Sequence, residues 1–173
     1  YCMKLKLAQA NRHYVVKGKA FEASGFHITP FGVPHDSSDN VGYSIEYEGV
    51  VFTLLTDVGH ITEEMKAIIR NTDYLVIEAN YDLQMLQNGP YPRHLQERIQ
   101  CGTGHLSNAQ CGAALVENYT ERLKHIWLCH LSEENNHPEL ARKSIEQALS
   151  DAGIKVKLDV LRRKQPTGVF ELV

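Results

Sequence analysis

His35, Asp57 and His130 are the residues in this chain whose types first suggest chemistry. Two imidazoles and a carboxylate are suitable ligands for zinc or a similar divalent cation. Each alone has an ordinary reading: a solvated loop histidine after Pro34, a helix-entry acid, and a core histidine bonded to a backbone carbonyl. Glu78 and His105 form a second group. His105 lies in Gly102-Thr103-Gly104-His105-Leu106-Ser107, just ahead of a capped helix start, and such a start attracts anions. A histidine there, near a strand-end carboxylate, can pass a proton to a leaving group. The ordinary alternative is that Glu78 caps a helix and His105 fills a turn.

The elements around these residues share one grammar. Val50-Val51-Phe52-Thr53-Leu54-Leu55 is apolar enough for a strand buried on both faces, and it ends in Asp57 and Gly59. Tyr74-Leu75-Val76-Ile77 ends in Glu78, and His125-Ile126-Trp127-Leu128-Cys129 ends in His130. Open α/β sheets place ligands at the carboxyl ends of their strands. If the three strands are parallel neighbours, Asp57, Glu78 and His130 line one edge of one sheet, with His35 nearby.

The remaining chain reads as follows. Short strands are predicted over 3–7, 13–16 and 26–29, with a stiff connection bracketed by Pro30 and Pro34. Alternation over 41–47 and the turn Glu48-Gly49 predict a hairpin into the Asp57 strand. Helices are predicted over 63–70 behind Thr62, over 82–88 and 92–101 around Gly89-Pro90, from Ser107 to about Tyr119 behind a capping box, and over 138–151 with Pro138 as first residue. Closing strands are expected near 155–161 and 168–172. Exposed Tyr91, Arg93, His94 and Arg98 would suit a lid.

At 173 residues and 43% apolar content the chain supports one globular domain with a sizeable core. A net charge of −3 gives no global reason to expect nucleic acid or an anionic membrane as partner. Arg93, Arg98, Arg122, Lys124, Arg142, Lys143, Arg162, Arg163 and Lys164 are not contiguous and read mostly as solvated surface, with a local basic rim left open. No apolar run is long enough to span a bilayer, and the first residues lack a signal-peptide layout. Cys2, Cys101, Cys111 and Cys129 are scattered without a CxxC pair, which predicts reduced thiols and a cytoplasmic location.

The ordered motifs Pro34-His35-Asp36, Thr56-Asp57-Val58-Gly59, Ile77-Glu78-Ala79-Asn80, Gly104-His105-Leu106-Ser107-Asn108 and Cys129-His130-Leu131-Ser132 resemble the metallo-β-lactamase fold hydrolases. The resemblance is nearest to WalJ-like exonucleases and the tRNA 3′-processing nucleases. It implies a mixed α/β fold, the four-layer αβ/βα sandwich of two packed sheets, of which this chain holds most of the second sheet and part of the first. It implies two divalent cations, Zn or Mn, with Asp57 bridging them and His35 and His130 each holding one. The implied reaction is metal-assisted hydrolysis of a phosphodiester, with His105, oriented by Glu78, protonating the departing oxygen. Tyr81 stands where many WalJ-like sequences have histidine and is assigned no role.

The family's His-x-His-x-Asp-His motif is not found among the nine histidines here. The resemblance therefore implies a single partial domain, the C-terminal portion, with three of seven usual metal ligands. The isolated chain is expected to hold no ion or one weak ion and to be weakly active. The missing N-terminal half, or a second copy of the chain, would complete the site and cover an apolar sheet face. Were two ions held tightly, His13, His27 and His60 would be the first extra donors to consider. Two other readings remain open: a hydrolase of a small ester or cyclic phosphate, and a metal-free structural or interaction remnant. A narrow pocket would mark the small-substrate enzyme, and an open groove with a basic rim the nuclease.

Overall fold

The computed structural model describes residues 14–172. Their seven strands form one sheet in sequence order: β1 (Phe21–Ala23), β2 (Phe26–Gly32), β3 (Val41–Tyr47), β4 (Val50–Leu55), β5 (Tyr74–Glu78), β6 (His125–Cys129) and β7 (Lys157–Val160). The first four run antiparallel, and β4 to β7 run parallel. The β3–β4 hairpin turns on Glu48 and Gly49, both at positive φ, which matches strand twist in a two-residue loop. The five helices are α1 (Glu63–Arg70), α2 (Leu83–Asn88), α3 (Arg93–Gln100), α4 (Asn108–Asn118) and α5 (Pro138–Asp151).

The parallel half positions the site, and its connections are helical because parallel strands need a crossover. Thr62 caps α1 by accepting from Met65 N, Ser107 and Gln110 complete the capping box of α4, and Pro138 opens α5. From these helices Met65, Ile69, Cys111, Leu115, Ala141, Ile145 and Leu149 pack on Leu55, Leu75, Ile77, Ile126, Leu128 and Leu158 of the sheet. This is the main core. On the other face Tyr74, Val76, Trp127 and Cys129 form a second cluster with Val50, Phe52, Leu54 and Leu161. The connection carrying α2 and α3 packs Tyr81, Leu86 and Ile99 as a third, smaller cluster.

Several expectations change. β5 and β6 are buried along their whole length, but β4 alternates: Val51, Thr53 and Leu55 are buried and Val50, Phe52 and Leu54 half-buried. All named strands among the described residues lie in one sheet, so no part of a second sheet is seen there. Residues 14–16 are exposed and outside any strand, and the 3–7 strand lies outside the described residues. Pro30 lies inside β2, opposite Tyr43. No strand forms over 168–172; β7 pairs with β6, and Phe170 instead docks edge-on against Trp127, with centroids 5.0 Å apart, and against His125. The apolar face expected to stand open is thus partly closed: Trp127 is only 3% exposed and Tyr74 5%.

Candidate metal and catalytic centre

The register of the parallel strands assembles the site. Leu55 lies beside Ile77, and Glu78 beside Cys129, so Asp57, Glu78 and His130 emerge together at the carboxyl edge. Asp57 and His130 both leave their strands in the left-handed region, at φ 56 and 55, unfavourable for residues with a Cβ. An asparagine restrains each of them. Asn40 Nδ2 donates to the carbonyls of Asp57 (2.9 Å) and Thr56 (3.3 Å), and Asn80 Nδ2 donates to the carbonyl of His130 (2.8 Å). Neither asparagine was singled out in the sequence. They stand 17 and 50 residues from their partners, so no local pattern links them.

Glu78 is the hub. Its side chain is fully buried, Oε2 accepts from the Val58 N–H, and Oε1 accepts from Nδ1 of both His105 and His130 at 2.7 Å. Burial pushes its carboxyl up, but the bonds from His105 and His130 and from the backbone outweigh it, so Glu78 titrates below the usual carboxylate value. The same bond raises the His130 imidazole, with burial opposing. Sequence pairing of Glu78 with His105 alone missed this double service.

These bonds decide which nitrogen is free. A carbonyl or an ionised carboxylate only accepts, so Nδ1 of each histidine carries the proton and Nε2 is the bare nitrogen of a neutral ring. His35 Nδ1 donates to Gly104 O at 2.9 Å, completing the set. Nε2 of His35 and Nε2 of His130 each lie 3.7 Å from the same oxygen, Oδ1 of Asp57. Metal bonds of about 2.0–2.2 Å place neighbouring donors at such separations. His105 stands between them, its ring 4.9 Å from His35 and 5.3 Å from His130, and donor atoms of His35, Asp57 and His105 all lie within 4.8 Å of one another. Two basic imidazole nitrogens aimed at a carboxylate, each held by a partner on its other nitrogen, fit a divalent cation. All five expected residues meet here, and a cavity of about 1080 Å³ opens over His35, His105 and His130. Of the reserve donors, His27 is exposed on β2, His60 Nδ1 donates to Gly102 O, and His13 lies outside the described residues.

This arrangement has relatives. The Beta-lactamase superfamily domain matches residues 2–126. The chain belongs to that superfamily. Among its superfamily relatives, it is 36% identical over 129 residues to Exodeoxyribonuclease YycJ of Bacillus anthracis, covering 75% of this chain and 49% of that protein. It is 36% identical over 154 residues to Exodeoxyribonuclease WalJ of Streptococcus pneumoniae (strain D39), covering 89% of this chain and 57% of that protein. The chain thus spans about half the length of the curated relatives it matches. Two solved structures share the superfamily fold. The metallo-beta-lactamase fold protein YhfI from Bacillus subtilis has TM-score 0.62 at 16% identity, covering 86% of this chain and 52% of that one. Zn(2+)-bound PqqB from Methylobacterium extorquens has TM-score 0.62 at 22% identity, covering 93% and 56%.

Proposed function

We propose that this chain carries the carboxyl-edge half of a two-cation phosphodiesterase site, and that the protein is a nuclease when that site is complete. The observation that supports this best is the convergence of three tethered imidazoles on Asp57 above one buried acid. His35 and His130 would each hold one cation through Nε2, and Asp57 would bridge the two. Divalent cations at this position would supply a nucleophile at neutral pH and charge stabilisation on the phosphoryl oxygens. Zn and Mn both suit the imidazole and carboxylate donors. Glu78 keeps the rings of His105 and His130 in one tautomer and one orientation. His105, whose Nδ1–H is committed to Glu78, would take up a second proton on Nε2 and deliver that one to the departing oxygen.

The donor count requires help. Asp57 with one imidazole leaves two protein ligands per ion, whereas catalytic zinc sites use about three. The remaining imidazoles and a second acid would come from chain beyond these residues or from a second copy. The kept donor geometry favours this reading over a metal-free remnant, and the wide cavity favours a polymeric over a small substrate. Among the described residues, Cys101, Cys111 and Cys129 are free thiols, in keeping with action in the cytoplasm. No described helix is long and apolar enough to cross a membrane.

The test uses the full-length protein that contains these residues, loaded with Zn or Mn. Single-stranded DNA and bis(p-nitrophenyl) phosphate should both be hydrolysed. Asp57→Ala should abolish metal retention and turnover together. His105→Asn should leave the metals bound and lower kcat by about 10²–10⁴-fold, the range of general acid catalysis. Full turnover by Asp57→Ala, or no phosphodiester cleavage by the metal-loaded wild type, would overturn the proposal.

A further inference from the structure

The basic residues that look scattered in the sequence are gathered by the fold around the catalytic cavity. Arg98 stands on α3 together with Leu95, and Tyr91 precedes that helix, all lining one wall. Arg162, Arg163 and Lys164 leave the end of β7 and line the same cavity as His35, His105 and His130. This second group falls outside residues 2–126, the part the superfamily model matches. The two walls are not equally available to an anion. Arg98 Nε bonds Asp36 Oδ2 and is committed to holding the His35 loop. Arg163 donates to Leu131 O and pairs with Glu133 (2.9 Å), and Lys164 pairs with the other oxygen of Glu133 (2.8 Å). Arg162 bonds only the neutral amide of Gln165 (3.0 Å) and, among the described residues, pairs with no carboxylate. All three are exposed, and the two cations flanking Glu133 hold its carboxyl below its usual value.

Resting on the nuclease reading, we propose that the 162–164 segment is the phosphate clamp for single-stranded DNA entering the cavity. Arg162 makes the leading contact, and Glu133 competes with the strand for Arg163 and Lys164. Three cations in successive positions match a phosphodiester chain better than a compact phosphate ester, which needs only the charges at the reacting centre. Tyr91 and Leu95, half-buried in the same lining, offer an apolar surface for a base. His35, His105 and His130 line the same cavity as the clamp, so the scissile phosphate must enter it. A splayed single strand can do this, whereas a duplex keeps its bases stacked and paired inside.

The experiment measures binding of 5′-fluorescein dT12 by anisotropy, as a function of salt and without turnover, on the full-length protein in Ca²⁺. The triple variant Arg162→Ala/Arg163→Ala/Lys164→Ala should weaken binding at least tenfold at low salt. It should also reduce the slope of log K against log salt by about 2, since each phosphate contact on a single strand contributes about 0.7. Arg162→Ala alone should account for part of the loss. Glu133→Gln should act in the opposite direction and tighten binding, an effect that damage to the fold does not mimic. Lys155→Ala, at the far end of the strands, should change nothing. Hydrolysis of bis(p-nitrophenyl) phosphate by the triple variant should fall much less than its dT12 binding does, because that small diester does not span the clamp. If that small diester is cleaved but the triple variant and Glu133→Gln bind dT12 as wild type does, the clamp is refuted and the phosphodiesterase reading stands. If the small diester is not cleaved at all, the functional reading fails, whatever the oligonucleotide result. Equal dependence on the clamp for a duplex, or for rU12 in preference to dT12, would refute the assignment to single-stranded DNA.

Discussion

Glu78 illustrates how much one buried side chain can decide. It has no contact with solvent, yet it sets the ring orientation of one expected ligand and of the expected acid. Glu78→Gln keeps the shape but can no longer accept two N–H bonds as an anion, and its amide N–H₂ opposes one of the rings. Loss of such a partner typically costs 10–100-fold in metal affinity. Competition against a chromophoric chelator in the full-length protein should show a drop of about that size, and unchanged affinity would remove Glu78 from the site. A second residue-scale expectation concerns His125, stacked 3.8 Å from Trp127 and bonded through Nε2 to Asp159 (2.8 Å). Burial lowers its imidazole below the usual 6.5, outweighing the Asp159 carboxylate. An imidazole depressed in the fold binds protons more readily when unfolded, so stability is intact above 6.5 and is lost as pH falls below it. Asp159 acts in the same direction further down: burial opposes, but His125 and Arg142 hold its carboxyl below 3.8, so its contribution is lost as pH falls past that value. Urea titrations between about pH 7 and 5, the window in which histidine changes charge, should show falling stability that His125→Gln flattens. A pH-independent wild type would contradict this.

At the scale of elements, the site is a junction of loops. Residues 101–104 offer a row of carbonyls: Gly102 O accepts from His60 Nδ1, Thr103 O from Asp36 N (2.9 Å), and Gly104 O from His35 Nδ1. The loop before β3 and the loop after β4 are thereby docked on the segment that carries His105. The approach requires glycine. A Cβ on Gly59 would lie 2.3 Å from Gly102 O, a backbone atom that cannot swing aside. Gly59→Ala should therefore destabilise the protein by about 1–3 kcal/mol, the usual cost of overpacking. It should also loosen His35, so denaturant midpoint and metal affinity fall together. Alanine tolerated with both unchanged would show that the loops separate more easily than the contacts imply. The helices were readable locally because their caps lie within a few residues of one another, as in Ser107 with Gln110. The 168–172 strand was misread because alternation alone does not supply a partner edge.

For the whole molecule, the described residues provide one sheet, the helices packed on it and one edge of a candidate metal site. The purified 173-residue chain, dialysed and analysed for metal, should hold no ion or one weakly held ion and cleave little phosphodiester. Two tightly held ions with cleavage would mean that donors read as ordinary complete the centre.

The order of motifs along the chain was enough to identify the fold family, the three parallel strands and the five residues that meet at their ends. The strands and the acids and histidine that follow them rest on apolar runs and residue types at strand ends, which are local properties, whereas the family and the parts given to His35 and His105 rest on the resemblance of the ordered motifs. Four things came only from folding: the sharing of Glu78 between two histidines, the asparagine clamps on Asp57 and His130, the carbonyl row of 101–104, and the gathering of 162–164 around the cavity that α3 also lines. Each joins groups far apart in the chain, and their meeting depends on strand register and loop docking, which no window of sequence records.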